Sequence, residues 1–217
     1  NVEVCGNTSE GTSAILNSGA VAPASYSSVI VRPVGGARII EGTITGAIIK
    51  LNGADNVTID GRLGTANTRD LTVRNNSTAT ATAAIWLASV AAGNGASNNV
   101  VRNLEVAAGV TQNTATTVTF GIIQTGTTIS LTATDGNDND NNQFIFNRVT
   151  RARHAISSRG VTTNNNISPI VTDNIIGPAS FGVDEIGQSG IYMQADTGAV
   201  VSRNTVQFVG GDLANTS

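Results

Sequence analysis

Short apolar runs of three or four residues recur along this chain, parted by turns rich in Asn, Gly and Thr. In residues 83–106 three of them follow one another: Ile85 to Leu87, Val100 to Val101, and Leu104 to Val106, with an Asn-rich turn before the second and a corner at Asn103 before the third. The same phrase returns elsewhere. Ile49-Lys50-Leu51 leads to Val57-Thr58-Ile59-Asp60, and Ile122-Ile123-Gln124 leads to Phe144-Ile145-Phe146-Asn147. Ile156-Ser157-Ser158 leads to Val171-Thr172-Asp173-Asn174, and Ile191-Tyr192-Met193 to Val201-Ser202-Arg203-Asn204. The leading isoleucines stand about 36 residues apart, and a fixed period of roughly 20 to 50 residues marks a repeat architecture.

Alternation within each run sets which side chains face in. Ile49 and Leu51, Ile85 and Leu87, Ile191 and Met193 point inward; the middle residues form an outward column of Lys50, Trp86, Ile123, Ser157 and Tyr192. Each circuit returns to the same strand, so successive strands run parallel. The predicted fold is all-β, a right-handed parallel β-helix (a solenoid) of about six coils. Roughly thirty inward side chains, at ~1.5–3 kcal/mol for each fully buried aliphatic, let stacked coils offset a chain entropy that a lone coil cannot.

Residues 26–217 carry the pattern, with a compact first coil over 26–46. Residues 1–25 read as an N-terminal cap or lead-in, with a short helix begun by Ser9 as N-cap ahead of Ala14-Ile15-Leu16. Asp60, Asn103, Asn147, Asn174 and Asn204 fall at one corner, with Glu41 before them. Asn and Asp tolerate left-handed backbone angles, and stacking brings such residues about 4.8 Å apart, so a hydrogen-bonded ladder is expected there. Longer excursions fall in 62–70, 75–82, 107–120, 125–142 and 177–189. The pattern ends at Gly210-Gly211 with no capping segment, so further coils or another chain are expected to cover that end.

Charge is sparse, with 12 basic against 15 acidic residues and a single lysine. A nucleic-acid surface wants a basic stripe, and none is present. No apolar run approaches the ~18 residues of a membrane span. The uncharged polar surface reads as secreted or cell-surface, and Asn1 in place of Met as a processed form or a piece of a longer protein. Cys5, the only cysteine, excludes an internal disulfide and a cysteine-cluster metal site, and is expected as a small buried hydrophobe.

Three groups are candidates for chemistry. Trp86 and Tyr192 on the outward column, with Lys50, Arg151 and Arg153, offer a sugar-stacking surface; the plainer alternative is two isolated or loop-covered aromatics. In DGNDNDNN, residues 135–142, Asp135, Asp138 and Asp140 have the one-apart oxygen spacing of a calcium loop. The bidentate acid such a loop needs is absent near Val149 to Arg151, and a turn motif explains the segment better. Calcium is therefore the only cofactor considered, and none is expected. Arg148, Arg151, Arg153, His154 and Arg159 form the basic cluster, suited to an anionic glycan or phosphate or, more simply, to pairing with Asp173, Asp184 and Glu185. Asp184, Glu185 and Asp196 read as solvated loop acids.

The segments LNGADNVTIDG (51–61), LTVRNNSTAT (71–80) and GNDNDNN (136–142) resemble the β-helical repeat regions of very large secreted and cell-surface proteins of Bacteroidetes-type bacteria, commonly exported by type IX secretion. The resemblance covers residues 25–106 and 119–150 best. It implies a pectin-lyase-like β-helix serving as an adhesive, matrix or scaffold segment, with no catalytic residues to carry over. The outward column holds no carboxylate, whereas lyases want a base with Arg or Lys and hydrolases a carboxylate pair. The expectation is a non-catalytic structural or adhesive module, partnered by polysaccharide or by neighbouring copies stacked end to end. The alternative is a polysaccharide-binding or polysaccharide-degrading β-helix.

Overall fold

The structure, a computed structural model, describes residues 1–19, 25–109, 118–132, 138–182 and 184–210. Three parallel sheets enclose one interior, and the described residues include no helix. Sheet A stacks Val2–Val4, Val29–Pro33, Val57–Asp60, Val100–Arg102, Gln143–Ile145, Ile170–Thr172 and Val200–Ser202. Sheet B stacks Thr8–Glu10, Arg38–Gly42, Leu71–Asn75, Leu104–Ala107, Arg148–Thr150, Ile175–Ile176 and Thr205–Val206. Sheet C stacks Ala14–Asn17, Gly46–Asn52, Thr82–Ala88, Thr119–Thr125, Ala152–Arg159 and Ile186–Gln194. The chain visits A, B and C in turn, and every pairing between circuits in these sheets is parallel. This is a parallel β-helix.

The interior is built of rows. Ala14, Ile49, Ile85, Ile122, Ile156 and Ile191 lie in register along sheet C. Val31, Ile59, Val101, Phe144 and Val171 line sheet A, and Ile40, Val73, Val106, Val149 and Ile176 line sheet B. Most of these side chains have no exposed area, so each row removes aliphatic surface from water continuously along the axis.

The first seventeen residues differ from expectation. They form strands of a first coil, not a helix, and the coil expected first, over 26–46, is the second. Thr8–Glu10 pairs with Ile40–Gly42, and Ala14–Asn17 with Ile49–Asn52. Three residues between two corners are too short for a helical turn, and the waiting strand edge takes their main-chain groups instead. Cys5 is exposed rather than buried. A cavity of about 470 Å³ opens at this end among Val2, Val4, Leu16, Val31 and Ile49. At the other end Val200, Val201 and Val206 are each nearly half exposed.

The corner between sheets A and B separates two roles that the sequence merges. Asn103, Phe146, Asp173 and Arg203 take the positive φ, at 56°, 58°, 58° and 52°. The ladder stands one residue later. Asn174 Oδ1 accepts from the main-chain N–H of Asn147, and Asn204 Oδ1 accepts from that of Asn174, at 2.9 and 3.0 Å. Asn147, Asn174 and Asn204 therefore stack as expected. Asn103 holds the turn instead, and Asp60 ends its strand and is clamped by Arg62 and Arg102. Burial pulls the Asp60 carboxyl up, but the two guanidiniums more than offset it and hold it below its ordinary range.

A second ladder at the corner before sheet A went unanticipated. Asn99 Oδ1 accepts from Val57 N–H at 2.8 Å, and Asn142 Oδ1 from Asn99 N–H at 2.9 Å. Beside it Asp55 accepts from Ser97 N–H, Ser97 Oγ from Asp140 N–H, and Asp140 from Ile167 N–H. These side chains give main-chain donors at the corner, those of Val57 and Asn99 fully buried, the partners that a bend in the sheet removes.

Candidate functional site

The strands of sheet C run to seven to nine residues over most of the stack, enough to carry two outward columns. One is Ile15, Lys50, Trp86, Ile123, Ser157 and Tyr192, and it contains the outward residues read from the sequence. The other, three residues earlier, is Ala47, Ala83, Phe120, His154 and Ser189. The segment following Thr125 folds back over this face. Ile129 and Leu131, with Val118 and Ala81, pack on Trp86, Phe120 and Ile123 as a second apolar cluster outside the main core.

That cover decides the fate of the candidate sugar-stacking pair, in favour of loop-covered burial for Trp86. Trp86 is only 7% exposed and cannot present its face to a ligand. Its cation is internal: Lys50 Nζ lies 4.3 Å from the ring centroid, and burial pushes the Lys50 amine below its ordinary value. Tyr192 is half-buried and lines a groove of about 530 Å³ just above the cover. Its hydroxyl donates to Gln194 Oε1.

Arg153, His154, Gln188 and Ser189 line the same groove, facing Ser130 and Thr132 on the cover. Arg153 Nε donates to Gln188 Oε1 at 2.9 Å. His154 Nδ1 is 2.7 Å from Ser189 Oγ. The imidazole stacks on Phe120 with centroids 5.1 Å apart and meets Tyr192 edge-on at 6.5 Å. Burial pushes its pKa down to about 4, and the neighbouring Arg153 guanidinium adds to the effect, so the ring is neutral near pH 7. No carboxylate lines the groove among the described residues.

The other candidates disperse. Arg151, at the corner between sheets B and C, turns its side chain to the sheet B side, where its Nε donates to Ala108 O at 2.7 Å and its Nη2 to Asn76 Oδ1 at 2.6 Å; Asp184 lies 3.9 Å away. It does not join Arg153. Arg148 faces Glu105 at 4.0 Å, and Arg159 donates to the carbonyls of Leu131 and Gly160. Asp173 pairs with Arg203, not with the cluster. Glu185 and Asp196 are not solvated: Glu185 is 8% exposed and accepts from Gly182 N–H, and Asp196 lies half-buried in a polar network.

Asp135 lies outside the described residues. Asp138 Oδ2 accepts from Asn164 at 3.1 Å, and Asp140 Oδ1 from Ile167 N–H at 2.7 Å, so both hold neighbouring turns. The described residues contain no group of three or more His, Cys, Asp or Glu placed to hold a metal. They contain no helix long and apolar enough to cross a membrane.

The sequence reading missed the Phe120–His154–Ser189 column. Strict alternation would turn Phe120 inward, three residues before the outward Ile123; it faces out because Gly121 and Ile122 both face the interior, an irregularity that the three-residue run does not show. The chain matches no protein-family model, no curated protein and no solved structure.

Proposed function

We propose that this chain is a non-catalytic structural or adhesive segment of a secreted or cell-surface protein, a stalk, matrix or surface-fibre module. What carries the reading is where the carboxylates are. Glu41 is held by Arg74, Asp60 by Arg62 and Arg102, and Asp173 by Arg203, while the groove on sheet C has none. Acid–base work on a glycosidic bond wants an unengaged carboxylate or an equivalent base facing the substrate. A buried imidazole pushed down to about 4 is a weak base. Val200, Val201 and Val206, each nearly half exposed on the last described coil, suit stacking on copies of itself. The test is incubation with pectate, alginate and a panel of neutral glycans, followed by assay for unsaturated and reducing ends. Release of either product would overturn the reading.

A second reading, polysaccharide binding, is favoured by one observation: the half-buried Tyr192 ring beside Arg153, Gln188 and Ser189 in a groove wide enough for a sugar ring. Gel retardation on immobilised glycans tests it. Retardation of the wild type that is lost in Tyr192→Ala and Arg153→Ala supports a binding groove, and equal mobility in every gel rules it out.

A further inference from the structure

The leucine row of sheet C, Leu16, Leu51 and Leu87, continues upward as Gln124 and Ser158. A polar vein enters the interior here. Asn142 Nδ2 donates to Gln124 Oε1 at 3.1 Å, Gln124 Nε2 to Ser158 Oγ at 2.6 Å, and Ser158 Oγ to Asp196 Oδ1 at 2.5 Å. Asn166 Nδ2 reaches both Ser158 Oγ, at 3.2 Å, and Asp196 Oδ1, at 3.1 Å. Asn166 and Asp196 are register partners in a two-stranded parallel sheet that joins two successive corners, Asn166–Ile167 and Asp196–Thr197.

Two atoms in this pair lack partners. Asp196 Oδ2 and Asn166 Oδ1 are both shielded from solvent, and neither accepts a hydrogen bond. Both are acceptors, so no rotation of either group lets one satisfy the other. Rotating the Asn166 amide would put its oxygen against Asp196 Oδ1 and lose the two donations already made. What is missing is one donor.

We infer that Asp196 is held as a neutral carboxylic acid, with its proton on Oδ2 and donated to Asn166 Oδ1. The two side chains then close an acid–amide ring across the boundary between coils: Asn166 Nδ2–H to Asp196 Oδ1, and Asp196 Oδ2–H to Asn166 Oδ1. An ionised carboxylate in the same place would bury a charged oxygen with no donor, which is far costlier than a neutral group with its bond made. Burial raises the carboxyl pKa against the opposing pull of Ser158, Asn166, the Gln194 main chain and Arg159. Arg159 is the charged side chain whose field reaches the carboxyl, and its own donors are turned to the carbonyls of Leu131 and Gly160.

The pair makes the upper corners of the solenoid sensitive to pH, beyond anything the structural reading requires. The folded carboxyl titrates above its unfolded value, so its contribution is complete below the unfolded value and is lost as pH rises through the folded one. Asp196→Asn is the discriminating variant. An amide at 196 supplies a permanent N–H to Asn166 Oδ1 and keeps the oxygen that accepts from Ser158 and Asn166.

The experiment compares urea midpoints of wild type and Asp196→Asn from about pH 5 to about pH 8. The expected result is a gap in favour of the variant that widens as pH rises. A protonated-carboxyl C=O stretch should persist in the wild-type infrared spectrum to higher pH than an ordinary aspartate allows, and that band should be missing from the variant. Parallel midpoint curves, or no such band, overturn the inference. So does a wild-type midpoint that sodium or calcium raises at the alkaline end and that loses this response in the variant, because a cation would then fill the gap. If the variant fails to fold, Asn166→Ser, which removes the acceptor opposite Asp196 Oδ2, decides: the wild-type carboxyl band should shift in it, and an unmoved band overturns the inference.

Discussion

Gln124 Nε2 donates to Ser158 Oγ at 2.6 Å inside a row that is leucine in the three coils below. Both side chains are fully buried, so this row changes from apolar to polar within one step of about 4.8 Å along the stack, while the rows beside it stay aliphatic. The change is concerted. Gln124 also accepts from Asn142, and Ser158 passes the chain on to Asp196. Continuing the leucine row by Gln124→Leu should therefore destabilise the protein. It would add apolar area but strip Ser158 Oγ of its shorter donor, leaving Asn166 Nδ2 at 3.2 Å, and deprive Asn142 Nδ2 of one of its two acceptors. A loss of about 1–3 kcal/mol in urea unfolding is expected. A gain in stability would mean that the vein is a tolerated defect.

The two corner asparagines that look alike in the sequence should respond differently. Asn174 accepts from Asn147 N–H and donates to Phe144 O, Thr172 O and Asn204 Oδ1. Asn174→Ala removes all of these and should cost about 2–3 kcal/mol, by stranding a buried main-chain donor. Asn103 Nδ2 has no partner, and the residue is there for its φ of 56°. Asn103→Gly should therefore be near neutral, within about 0.5 kcal/mol, because glycine takes that conformation without strain. Equal losses in the two variants would contradict the separation of turn and ladder.

These residues also show what could be read in advance and what could not. The rows were legible because a solenoid repeats one interior position per coil: Ile49, Ile85, Ile122, Ile156 and Ile191 are one site sampled five times. The corner was legible only to within one residue. Asn satisfies both a left-handed turn and a side-chain ladder, so composition alone cannot say which job Asn103 does. The cover over Trp86 could be named only as an alternative to exposure, not placed. Whether an outward residue meets solvent depends on where the chain after Thr125 folds back, and that segment belongs to no repeat. The first coil was misjudged for a related reason: Thr8–Glu10 is polar and short, and only the strand edge at Ile40–Gly42, far along the chain, makes it a strand.

The covered tryptophan gives a direct optical test. Trp86 is the sole tryptophan and lies beneath Ile129 and Leu131. Its emission should be blue-shifted, poorly quenched by iodide, and little changed by any glycan that enters the groove at Tyr192. Trp86→Ala should lower stability by about 3–5 kcal/mol, since it empties the centre of the outer cluster. Ready quenching by iodide would show that the cover is open in solution.

His154 sets the acid side of the stability profile. Its folded pKa is pushed down to about 4 by burial, with Arg153 adding to the effect, against 6.5 when unfolded. Above pH 6.5 the ring is neutral in both states and contributes no pH dependence. As pH falls from 6.5 towards 4 the unfolded chain takes up a proton that the folded chain refuses, so stability is lost through that window, on the order of 3 kcal/mol in all. His154→Gln should flatten this acid limb while leaving the alkaline behaviour assigned to Asp196 in place. As the only histidine, His154 can be followed by its own ring resonances. Titration of those resonances near 6.5 would place the imidazole in water and remove it from the stack between Phe120 and Tyr192.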